Sequence, residues 1–160
     1  MRSVFVTLLL AAAILITGSS PLMAGSDDVR ATANKADSAW KDKNIETINT
    51  VRTLISDWAN SWQEKDIDRY MSYYSLKFRS GGLDYSAWQD KKTRLFKKSG
   101  NLSLKVSDLG VVVEGDHASA SFVQHYRDEQ YTDIGEKTIQ LVQEDGKWHI
   151  TTEEWRPLNR

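Results

Sequence analysis

Between Ile45 and Trp62 apolar residues recur every three or four positions, at Ile45, Ile48, Val51, Leu54, Ile55, Trp58 and Trp62, which is the spacing of one face of an α-helix. Asn44 stands as an available N-cap and Glu46 falls in the first turn, so the pattern predicts a helix over about 45–64. Its apolar face is wide enough to pack on a sheet. Gln63-Glu64-Lys65 interrupts the pattern, and Asp66 is a good N-cap for a short second helix carrying Ile67, Tyr70, Met71 and Tyr74. Two helices at an angle would present one aromatic-rich wall. Arg79-Ser80-Gly81-Gly82 breaks the pattern again, because two glycines permit a turn that other residues resist. Ser86 and Gln89 form a capping box, predicting a third helix over about 87–98 with Trp88, Leu95 and Phe96 on one side, ended by Ser99-Gly100-Asn101.

Beyond Leu102 the period changes to two. Leu102, Leu104 and Val106 alternate with polar residues, a bulge is expected near Asp108, and Leu109, Val111 and Val113 resume. Glu114-Gly115-Asp116 turns the chain. In the next strand Ala118, Ala120, Phe122, Gln124 and Tyr126 form the set that faces the helices. Another strand carries Ile139 and Leu141, Asp145-Gly146 is a hairpin signal, and Trp148 and Ile150 restart an alternation that runs to Trp155. Three helices followed by a meander of long strands predict an α+β domain, with the helices on one face of a curved antiparallel sheet. Trp62, on the helical face shared with Ile55 and Trp58, is expected at the centre of that core against Phe122 and Trp148.

The segment ahead of this domain changes the picture of where it works. Residues 1–24 carry one charge, Arg2, then an apolar run from Val4 to Ile16 and a cluster of small residues ending at Ala24. This reads as a secretory signal peptide, because the run is shorter than the roughly 20 residues that a membrane-spanning helix needs. Export to the periplasm or beyond is the expectation, with no membrane span after processing. Residues 25–44 read as a leader, partly helical, with Val29, Ala33, Ala36 and Trp40 in a thin stripe; the domain spans 45–156 and a tail 157–160. Trp40 either frays with the leader or docks on the domain or on a second copy.

The chain has 160 residues, enough for one domain with a full core, and no cysteine, so stability must come from packing. Its formal net charge of −1 falls to about −2 once Arg2 is removed, which gives no footing for nucleic acid. None of His117, His125 and His149 has a partner at metal-ligand spacing. The sequence has no nucleophile elbow and no phosphate loop, and Gly81-Gly82 reads as a turn. No metal or other cofactor is expected. Lys91, Lys92, Arg94, Lys97 and Lys98 make the third helix locally basic, a surface for an anionic envelope polymer or lipid or, the reading preferred, a solvated face.

Several spaced aromatics agree with a known pattern. Trp58, Trp62 and Asp66, then Asp66, Tyr70 and Tyr74, then Phe78, a helix centred on Trp88, Phe122-x-Gln124-x-Tyr126 and the run from Asp145-Gly146 to Trp155 resemble the nuclear transport factor 2-like cone fold. They are most similar to the domain found with bacterial L,D-transpeptidases and other cell-envelope modules. The resemblance implies a cystatin-like cone: three N-terminal helices on the concave face of the sheet, with a cavity between. It also implies homologues as different as ketosteroid isomerase, SnoaL-like cyclases, dehydratases and modules without chemistry. Fold alone does not choose among these.

Polar groups expected on the cavity face are Tyr70, Tyr74, Gln124, Tyr126, Lys137, Glu153 and Trp155. Two readings follow. In the first, the chain is a non-catalytic module binding a small apolar ligand, a cell-envelope enzyme or a wall polymer. Gln124 and Tyr126 then satisfy each other and nearby backbone, and Glu153 pairs with Lys137 or Arg79. In the second, a hydro-lyase, cyclase or isomerase uses Glu153 as base and Tyr126 or Tyr70 as donor to a developing oxyanion, which requires a carboxylate with a raised pKa. The outward sheet face, with Ser119, Ser121, Val123, Thr138, Gln140, Val142 and Thr151, is mild enough for a homodimer.

Overall fold

A computed structural model describes residues 26–158; the expected signal peptide lies outside them. Helix α1 runs without a break from Ser26 to Gln63. Asn44 therefore lies within the helix and caps nothing: no residue near it breaks helical geometry, so the helix runs on upstream into what reads as a leader. Residues 26–37 belong to a separate unit and are exposed wherever described. The second unit, from Ser38 onward, is the domain. Trp40, 63% exposed, does not dock on it, and Ile45 is also exposed, so the packed stripe of α1 begins near Ile48.

The C-terminus of α1 closes with Lys65 in the left-handed region at φ 57°. Asp66 N–H returns to the Ser61 carbonyl and Lys65 N–H to that of Trp62, the 6→1 and 5→2 pair of a Schellman end. Lysine takes a position that usually goes to glycine, and its Nζ donates to the Ser99 carbonyl at 2.6 Å, tying α1 to the end of the third helix. Helix α2 (Ile67–Ser72) starts where expected, with Asp66 accepting from Arg69 N–H. A small hairpin, β1 (Arg79–Ser80) and β2 (Leu83–Asp84), turns through Gly81 and Gly82, both at positive φ. Helix α3 (Tyr85–Lys98) is capped by Asp84, whose carboxylate accepts from Ala87 N–H at 2.9 Å. The expected cap at Ser86 is displaced because the hairpin delivers Asp84, in extended geometry, directly to the helix start.

Four long strands follow as an antiparallel meander: β3 (Ser103–Glu114), β4 (His117–Arg127), β5 (Thr132–Glu144) and β6 (Lys147–Pro157), in the order β3-β4-β5-β6. The bulge near Asp108 is present: that residue has φ 56° and the register shifts between Ser107 and Gly110. A second bulge is not visible in the polar pattern. In β5–β6, Gln140 faces Thr152 but Leu141 faces Ile150, leaving Thr151 extra, its hydroxyl donating to the Gln140 carbonyl. The extra residue exchanges the two faces of β6. Trp148 and Ile150 point inward before it, and Glu153 points inward after it.

The core lies between the helices and the inner face of the sheet. Trp58, Tyr70, Phe78, Ile139 and Ile150 are wholly buried there. Trp58, not Trp62, occupies the centre: its ring packs on Phe122 at 6.0 Å and on Tyr70 at 5.9 Å. Trp62, one turn later, leans toward α3 and the far end of β4, against Phe96 at 6.4 Å and Tyr126 at 6.1 Å.

Candidate ligand-binding site

Two layers make up the wide end of the inner face. The deeper layer is a closed polar cluster. Lys137 of β5 and Glu153 of β6 form an ion pair whose side chains are 5% and 1% exposed. Tyr74 donates to the other oxygen of Glu153, Tyr70 O–H lies 3.4 Å from that same oxygen, and Trp58 Nε1 donates to the Tyr74 hydroxyl at 2.9 Å. Burial pushes the Glu153 carboxyl up, but the charges of Lys137 and Lys92 and the hydrogen bonds from Lys137 and Tyr74 together outweigh it and hold the group below its usual value. Burial and the neighbouring Glu153 charge hold the Tyr70 and Tyr74 hydroxyls well above theirs, so both remain neutral donors.

In front of this cluster a cavity of about 690 Å³ opens between α3, the ends of β4 to β6 and the β4–β5 connection, within the size of ordinary ligand sites. Trp62, Trp88, Lys92, Gln124, Tyr126 and Trp155 form its wall. Of the seven expected cavity residues, Gln124, Tyr126, Lys137 and Trp155 line it. Tyr70, Tyr74 and Glu153 do not; they are packed behind it, because the ion pair and the tyrosine hydroxyls satisfy one another. Gln124 and Tyr126 do not bond each other either. Tyr126 O–H donates to Asp128 at 2.8 Å and lies 3.2 Å from Ser99 Oγ, whereas Gln124 Oε1 is buried without a partner. Arg79 donates to the Phe78 carbonyl, leaving Glu153 to Lys137.

Lys92 is the cavity residue that the sequence reading places wrongly, on a solvated face. It is 4% exposed, and its Nζ lies 3.7 Å from the Trp62 ring centre, 4.7 Å from Trp88 and 5.4 Å from Tyr70. The spacing Trp88, Lys92, Phe96 is the signal: a lysine four residues from each of two buried aromatics shares their helical face. Trp155 lies over Gly135, where an added Cβ would run into the indole and the Arg156 carbonyl. Gly135→Ala is expected to cost roughly 1–3 kcal/mol and to lift Trp155 off the cavity mouth, seen as a red-shifted tryptophan emission that Trp155→Phe abolishes.

Among the described residues no His, Cys, Asp or Glu cluster could hold a metal, and no helix is long and apolar enough to cross a membrane.

Helices on a curved four-stranded antiparallel sheet, with the cavity at the wide end, define the nuclear transport factor 2-like cone class. Within it, residues 50–154 match the family described as the Cds6 C-terminal NTF2-like domain, and the chain belongs to that family. It is similar to Bd1075 of Bdellovibrio bacteriovorus at 25% identity and TM-score 0.66, covering 69% of this chain and 40% of that one. A likeness to the helical cell shape determining protein Pgp2 of Campylobacter jejuni has 21% identity and TM-score 0.58, and covers 66% of this chain and 40% of that one. This chain thus spans well under half of either protein. An NTF2-like protein of unknown function from Pseudomonas putida is 20% identical with TM-score 0.65, covering 72% of this chain and 89% of that one. No curated protein matches significantly.

Proposed function

We propose that this chain is an exported, non-catalytic cone module of the cell envelope, which binds a small ligand, free or presented by an envelope partner, in the cavity between α3 and the sheet. The state of Glu153 carries this reading. An acid–base enzyme of the ketosteroid isomerase kind needs a carboxylate with a raised pKa that reaches the substrate. Here the inward carboxylate is ion-paired, held below its usual range and sealed behind the wall, while the cavity in front of it stands open. The resemblance to domains that accompany L,D-transpeptidases supports an envelope setting. So does the cell-shape role in the name of Pgp2. The signal segment over residues 1–24 supports export.

The test uses protein expressed with its own N-terminal segment. N-terminal sequencing of the periplasmic or culture fraction should find a start near Gly25. Incubated with solubilised wall fragments, the processed protein should shift the indole N–H resonances of Trp62, Trp88 and Trp155, and the bound material should be recovered chemically unchanged. Conversion of that material, or an unprocessed protein confined to the cytoplasm, would overturn the reading.

A further inference from the structure

The buried cluster at the cavity floor is short of one negative charge. Two ammonium groups, Lys92 and Lys137, face a single carboxylate, Glu153, and the tyrosines beside it are neutral. Both oxygens of Glu153 are engaged, one by Lys137 and the other by Tyr74. Lys92 has no hydrogen-bond acceptor among the described residues; it rests on three aromatic rings and lines the cavity. Ring faces attract a cation but accept none of its three N–H bonds in the way an oxygen would. A buried, unpaired ammonium is costly, and an anion brought into contact with it removes that cost.

Resting on the ligand-binding reading above, we infer that the cavity takes a ligand with a carboxylate, which pairs with Lys92 while its apolar or aromatic body lies against Trp88 and Trp155. A monoanion suits the site because one positive charge is left over once Lys137 and Glu153 neutralise each other and the other charges of the lining, Lys91, Lys97 and Lys98 against Asp128, Glu129 and Asp133, balance. The groups around Lys92 are Glu153 on β6, Lys137 on β5, Tyr70 on α2 and Lys91 on α3 itself, while α1 contributes the uncharged Trp62. Burial lowers the Lys92 ammonium to about 7, with Lys137 and Lys91 adding to the fall and Glu153 opposing it. Carboxylate binding therefore takes up a proton near neutrality, and affinity falls as pH rises above about 7.

The probe pair is 4-phenylbutyrate and its neutral amide, titrated against the processed protein while the Trp62 and Trp88 indole resonances are followed. At pH 6.5 the acid should bind at least tenfold more tightly than the amide, and the acid's advantage should shrink about tenfold by pH 8.5. Lys92→Met should bind both probes equally, with the amide at its wild-type affinity. Lys97→Met, at the exposed rim of the same cavity, should keep the preference. Equal binding of acid and amide by the wild type, or a preference that survives Lys92→Met, overturns the carboxylate inference and leaves the cavity reading standing. Failure of either probe to move the Trp62 or Trp88 signals, with wall fragments also inert, removes the cavity reading itself.

Discussion

Replacing Trp58 by alanine is expected to cost roughly 3–5 kcal/mol. The side chain is wholly buried, touches Trp62, Tyr70 and Phe122, and donates its indole N–H to the Tyr74 hydroxyl. Its loss leaves a void in the core and removes a donor from the cluster around Glu153. With a whole domain worth roughly 5–15 kcal/mol and no disulfide to limit the loss, the variant should be largely unfolded. Trp62→Ala should cost less, roughly 1–3 kcal/mol, since Trp62 borders a cavity that water can enter. Trp40→Ala, at an exposed position, should cost under about 1 kcal/mol. Urea melts of the three rank them; a Trp62 variant weaker than the Trp58 variant would move the centre of the core toward α3.

The second large effect is at Lys137. Lys137→Met leaves Glu153 as a buried carboxylate without its ion partner, and breaking such a pair from one side costs roughly 3–5 kcal/mol. Replacing both members, as Lys137→Met with Glu153→Leu, should recover part of it, because Glu153 is then no longer unpaired while Lys92 loses the carboxylate that opposes its burial. The pH dependence separates the two cases. In the wild-type fold Glu153 sits below its usual value, so the stability it contributes is present above the unfolded carboxylate pKa and is lost as pH falls through the lower folded value. In Lys137→Met the carboxyl rises, the sign reverses, and the variant should grow more stable on acidification from pH 7 toward 5. Chemical denaturation across that range reads it; a single variant that melts like the wild type would mean the pair contributes nothing net.

Much of the fold is legible because alternation and helical spacing report burial directly. Ala118, Ala120, Phe122, Gln124 and Tyr126 are all buried on one face of β4, as their period requires. The bulge at Asp108 shows as a break in that period. What stays hidden depends on how elements meet. Trp58 and Trp62 share a helical face, and only the tilt of α1 over the sheet decides which reaches Phe122. Asp84 and Ser86 are both capping residues, and the preceding hairpin decides between them. Glu153 and the pair Trp148 and Ile150 have opposite parity, so placing all three inward requires the bulge at Thr151, which no polar pattern announces. Lys92 stays hidden for a different reason. Lysine is discounted as a surface residue, yet its position between Trp88 and Phe96 fixes its direction more firmly than its charge does.

The extra residue at Thr151 also separates two kinds of selection within one strand. Ahead of it, Trp148 and Ile150 answer only to the hydrophobic interior; behind it, Glu153 answers to its ion partner and Trp155 to whatever enters the cavity. Because the two halves are out of phase, a substitution that retunes recognition at the far end leaves the packing register at the near end undisturbed. A lineage can therefore change what Trp155 presents to the cavity without renegotiating the core that keeps the domain folded.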